Sequence, residues 1–124
     1  MYAAHPATAA YKEAGVLTAS PAQLVVMLYD GAGRFLRQAA AAMDEGDVPR
    51  SHERLQRGEA IVQELLDTLD FDQGGDIATG LRDLYLFCLR HLGEARIERD
   101  ATKVRQVVRI LSELRGSWAE IAAA

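Results

Sequence analysis

The stretch Leu17–Leu36, LTASPAQLVVMLYDGAGRFL, decides how the chain is read. Ser20 suits a helix N-cap, Pro21 the first helical position and Gln23 the third, the reciprocal arrangement of a capping box. Beyond the cap, Leu24, Leu28, Gly31, Phe35, Ala39 and Ala42 recur at helical spacing and form one face. The helix is expected to run from Pro21 to about Glu45 and to stop at Gly46. It carries more apolar residues than one face requires. With Leu28 at zero and about 100° per residue, the main face spans roughly ±60°, and Val25, Tyr29, Leu36 and Met43 fall near 60–100° as a second stripe.

The same signals repeat downstream. GDVPR reads as a turn, with Asp47 as a cap and Pro49 in the first turn of a second helix that ends near Leu69. Its inward residues are Leu55, Gly58, Val62, Leu65, Leu66 and Leu69. The paired glycines and aspartates of DFDQGGD predict a loop. A third helix is expected from about Asp76 to Glu98, with Ala78, Leu81, Tyr85, Cys88, Leu89 and Leu92 on one face. A fourth follows the cap Asp100 to about Ile121, facing inward with Val104, Val107, Leu111, Leu114 and Trp118. No stretch alternates as a strand would. Long helices joined by short turns are antiparallel neighbours, so the expected fold is all-α: an antiparallel up-down four-helix bundle over residues 20–124. Residues 1–19, mostly small, are expected to be a flexible N-terminal arm.

Composition bounds the function. The 124 residues are 49% hydrophobic, enough for the core of one domain. Fourteen Lys+Arg are interleaved with eighteen Asp+Glu, for a net charge of -4. No basic stripe stands out in the sequence, which argues against nucleic acid as partner. A single cysteine, Cys88, forms no internal disulfide and suits a reducing compartment. No apolar run approaches the roughly 20 residues that span a bilayer. The N-terminal residues lack the charged and apolar regions of a secretory signal, so the expected location is cytoplasmic, without membrane insertion.

Catalytic and metal chemistry find no footing. Di-iron bundles use Glu-x-x-His pairs, and neither His52 nor His91 has a glutamate three residues before it. Cys88 and His91 have the spacing of two zinc ligands, but Cys88 lies on the apolar face, His91 points away from it, and two further ligands are missing. Gly74-Gly75 has no phosphate-binding fingerprint around it. No metal, no cofactor and no enzymatic activity are expected.

The surplus of apolar residues then favours a binding surface. On the third helix, with Tyr85 at zero, Leu86 falls near 100° and Phe87 near 200°, on the side away from the core with Asp83, Arg90 and Glu94. On the fourth, Ile110 lies about 100° from Leu111. The second stripe of the first helix either broadens the core or binds a partner. The partner-binding candidates are Val25, Tyr29 and Leu36 on that stripe, Tyr11 and Leu17 of the arm beside it, and Phe87.

At these residues the chain resembles the flagellin-specific export chaperones of the FliS family. The likeness covers essentially the whole chain. It includes the opening MY, AYKEAGVLTASPAQLVVMLYDGAGRFL, IVQELLDTLDFDQGGDIATGLRDLY and the closing ILSELRGSWAEI. The resemblance implies an antiparallel helical bundle in the cytoplasm. It also implies binding of the disordered C-terminal segment of flagellin, prevention of premature polymerisation, and delivery to the gate of the flagellar type III export apparatus. Tyr2 and Tyr11 match the family's N-terminal tyrosines, whereas Ala95-Arg96 stands where the family usually has Ala-Asn. The alternative reading is a generic helical-bundle adaptor for another amphipathic helix.

Overall fold

The computed structural model describes residues 19–124. Tyr11 and Leu17, two of the candidate binding residues, lie outside that range. The described residues form four helices and no strand: α1 (Pro21–Asp44), α2 (Val48–Asp67), α3 (Phe71–Glu98) and α4 (Ala101–Ala123).

Local chemistry sets the ends. Ser20 Oγ accepts from the Gln23 N–H at 3.1 Å, and the Gln23 side chain accepts from the Ser20 N–H at 2.7 Å, closing the expected capping box. At the far end Gly46 takes φ 73°, and its N–H donates to the Met43 carbonyl. The Asp47 N–H donates to the Ala42 carbonyl, so the pair of bonds makes a Schellman motif. Asp47 then caps α2 by accepting from the Arg50 N–H, and Asp100 caps α4 by accepting from the Thr102 N–H.

The DFDQGGD segment departs from the expected loop. Asp70 accepts from the Gln73 N–H and starts a helical turn at Phe71, ahead of the predicted start at Asp76. That turn ends at Gly75, whose φ 50° and ψ −125° break the helical path before the main helix resumes. A side-chain cap five residues upstream thus converts most of the loop into helix, and only one glycine keeps the irregular geometry.

Connections of two or three residues force consecutive helices to be antiparallel. α1 packs extensively on both α2 and α4, while α3 closes the bundle through thinner contacts with α2 and α4. Small residues explain the difference. Gly31, Ala32, Gly33, Ala39, Ala40 and Ala42 are all buried on α1 and let its neighbours approach closely. Gly58 of α2 meets α1 so tightly that a Cβ there would lie 2.5 Å from Leu36 Cδ2. The core gathers Leu28, Leu36, Leu55, Val62, Tyr85, Cys88, Leu92, Val104, Val107 and Leu111, each essentially inaccessible.

Candidate functional site

Contact on two sides decides the fate of the second stripe of α1. Tyr29 is 2% exposed and Leu36 0%, and Val25 is also buried. In this arrangement Tyr29 and Leu36 belong to the core, not to an open surface as the groove reading required, while Val25 is buried in the same cluster at the border of a cleft. The reason is positional: α1 lies between α2 and α4, so an arc wide enough for two neighbours is covered. Met43 and Ile110, the other off-axis residues, pack half-buried against the same core.

The unsatisfied apolar surface lies chiefly on α3. Ile77 is 75% exposed, and Phe71, Leu86 and Ile97 are exposed as well. Phe87 is 37% exposed, as its angle on the helix predicted. Its ring stacks on His91 at 5.1 Å, with the Arg90 guanidinium 5.8 Å from its centre. His91 Nε2 and Gln106 Oε1 are 2.6 Å apart, which ties this patch to α4. Farther along, Lys103 Nζ donates to Glu94 at 3.0 Å and to Glu98 at 3.2 Å. The hydrogen bond from Lys103 holds the Glu94 carboxyl below its ordinary pKa, and the same contacts raise Lys103. Arg96 forms a two-pronged pair with Glu59 of α2.

Where α1 and α4 meet the beginning of α3, the bundle opens into a cleft of about 270 Å³. Its apolar wall is built by Val25 of α1, Leu65 of α2, Leu69 of the connection, Ile77, Ala78, Leu81 and Tyr85 of α3, and Trp118 of α4. Asp70, Gln73 and Thr68 supply the polar edge. Every helix contributes, so the cleft exists only in the assembled bundle. The break at Gly75 shapes it, because the turn from Phe71 to Gly74 departs from the axis of the helix that follows. Of the sequence candidates, Val25 reaches this cleft, while Phe87 lies on the outer face of α3. Ile77, within the helix expected from about Asp76, is not among the sequence candidates.

The chemistry of the cleft is that of a surface for apolar side chains. Among the described residues no cluster of three or more His, Cys, Asp or Glu could hold a metal ion. Cys88 is fully buried, and desolvation pushes its thiol pKa up to about 11, far from a reactive thiolate. No helix of the described residues is long and apolar enough to cross a membrane.

An all-helical bundle with an open apolar cleft and exposed apolar residues along α3 offers the kind of surface on which helical or extended peptides dock. Comparison with known proteins identifies the family. The family described as "Flagellar protein FliS" matches residues 3–124, and the chain belongs to that family. It is 37% identical over 110 residues to the flagellar secretion chaperone FliS of Salmonella typhimurium, spanning 88% of this chain and 82% of that protein. The FliS chaperone of Vibrio cholerae is 35% identical over 116 residues, spanning 90% and 85%. That of Bacillus subtilis is 32% identical over 109 residues, spanning 88% and 80%. These relatives are all named as flagellar secretion chaperones.

Proposed function

We propose that this protein is the cytoplasmic export chaperone of flagellin. It binds the disordered C-terminal segment of the newly made subunit, keeps it from polymerising, and delivers it to the gate of the flagellar type III export apparatus. Catalysis plays no part in this role. The observation that supports the reading is the cleft between the start of α3 and the ends of α1 and α4, with Ile77 exposed at its edge. An amphipathic client offers apolar anchors at i, i+3/i+4 and i+7, and such a cleft accepts them. Phe87 and its stacked His91 extend the docking face along α3.

The thinner packing of α3 suits this work. A client must be held by a large surface and still be released, and ordering a disordered segment costs several kcal/mol of the gross interaction. Adding apolar contacts along the least covered helix gains area without opening the α1 core. Co-purification of flagellin with the tagged chaperone, lost when the C-terminal segment of flagellin is deleted, tests the assignment. Equal recovery of the truncated flagellin would show that the client segment is misassigned.

A further inference from the structure

Arginines scattered in the sequence converge on one ring at the α1–α2 face. Phe35 is half-buried, and the guanidinium carbons of Arg34, Arg54 and Arg57 lie 5.7, 5.9 and 5.8 Å from its ring centre. The close approach at Gly58 brings the two helices together here. Among the described residues Glu53 is the one carboxylate paired with this group: Arg57 hydrogen-bonds to it, and Arg54 Nε lies 3.2 Å from Glu53 Oε1. Arg50 is close enough to act on the same carboxyl through its charge. Among the described residues Arg34 and Arg50 form no ion pair. Three guanidiniums thus surround the Phe35 ring, and Arg50, Arg54 and Arg57 share the single Glu53 carboxylate, in a chain whose net charge is -4.

We propose that the Phe35 arginine cluster is a second docking surface, distinct from the apolar cleft, for a short acidic peptide segment of a partner protein. Guanidinium forks match carboxylates with paired hydrogen bonds, and stacking on an aromatic ring presents them already oriented. The length of the occupant follows from the charge distribution. The chain as a whole carries a net charge of -4, so a long polyanion such as nucleic acid, or an extended anionic membrane, meets net repulsion from the rest of the molecule. A segment with a few carboxylates fits within the positive field. Phe35 is ten residues from Val25, or about 15 Å along the axis of α1, so client in the cleft and an acidic partner here can be held together.

Titration of the full-length chaperone with a fluorescently labelled hexaglutamate peptide, read by anisotropy at low salt, tests this. Hexaglutamine, a six-nucleotide single-stranded DNA and phosphatidylglycerol vesicles serve as comparisons. Saturable hexaglutamate binding is expected, tighter than to any comparison, and weakened at least fivefold in Arg34→Gln/Arg57→Gln. Arg50→Gln, at an exposed position, should weaken it at least twofold, while Arg109→Gln on α4 should leave it within twofold of wild type. The proposal is overturned by absence of saturable binding, by tighter binding of DNA or vesicles, or by an equal loss in Arg109→Gln and the cluster variants.

Discussion

The hydroxyls of Tyr29 and Tyr85 hydrogen-bond to each other inside the bundle, joining α1 to α3 across its diagonal. Their rings lie 6.4 Å apart at 47°, and both residues are almost wholly buried. A polar contact at this place fixes how the loosely held α3 registers on the central helix, because a misregistered bundle loses the bond inside a low-dielectric core.

Tyr29 should therefore act on stability first. Tyr29→Phe removes the hydroxyl and is expected to cost about 1 kcal/mol, and Tyr29→Ala about 3–5 kcal/mol through the cavity it leaves. Urea unfolding reads both. A Tyr29→Ala protein as stable as wild type, with weakened client binding, would return Tyr29 to the surface role.

How much of this was legible in the sequence depends on the range of the cause. The caps at Ser20, Asp47 and Asp100 act within three residues, and the helix bounds they imply agree with the structure to within a residue or two. The fate of Tyr29 and Leu36 depends on how many neighbours α1 acquires, which a single helical wheel does not contain. The turn beginning at Phe71 was hidden because the paired glycines and aspartates of DFDQGGD read as a loop, whereas Asp70 caps a helical turn ahead of Gly75. The arginine cluster was hidden for a similar reason: Arg34 and Arg54 are twenty positions apart, and only the helix crossing brings them to one ring.

That crossing makes Gly58 sensitive. A Cβ there would sit 2.5 Å from Leu36 Cδ2 and 2.8 Å from Cγ, and Leu36 has no free space to move into. Alanine gains about 1 kcal/mol of helix propensity, but overpacking costs about 1–3 kcal/mol. Gly58→Ala is expected to be a net loss, seen as a lower urea midpoint. A higher midpoint would mean that the two helices separate at little cost.

The capping box should have its own signature. In Ser20→Ala the Gln23 N–H loses its acceptor and the protein loses about 1 kcal/mol. Thermal melts read the difference, and identical midpoints for variant and wild type would count against a stabilising role for the box.

Cys88 sets a limit at alkaline pH. Its thiol pKa is raised from 9.0 to about 11 by burial, so the folded state holds the proton more tightly than the unfolded chain. Above pH 9 the unfolded chain binds fewer protons, and the contribution of Cys88 to stability falls as pH rises from 9 to about 11. Cys88→Ala, compared with wild type across this window, should show a shallower decline. At pH 8 the native thiol should resist alkylation and become reactive only on unfolding. Rapid labelling of the native protein would contradict its burial.

The central claim is that the cleft at the start of α3 receives the C-terminal segment of flagellin. Ile77 tests it most directly, because a residue 75% exposed can be changed with little effect on the core. Calorimetric titration of the chaperone with a flagellin C-terminal peptide should show saturable binding to wild type. In Ile77→Asp, which puts a charge where an apolar anchor docks, affinity should fall at least tenfold, or about 1.4 kcal/mol, with the urea midpoint unchanged. No binding to wild type, or equal affinity for the two proteins, would contradict the account.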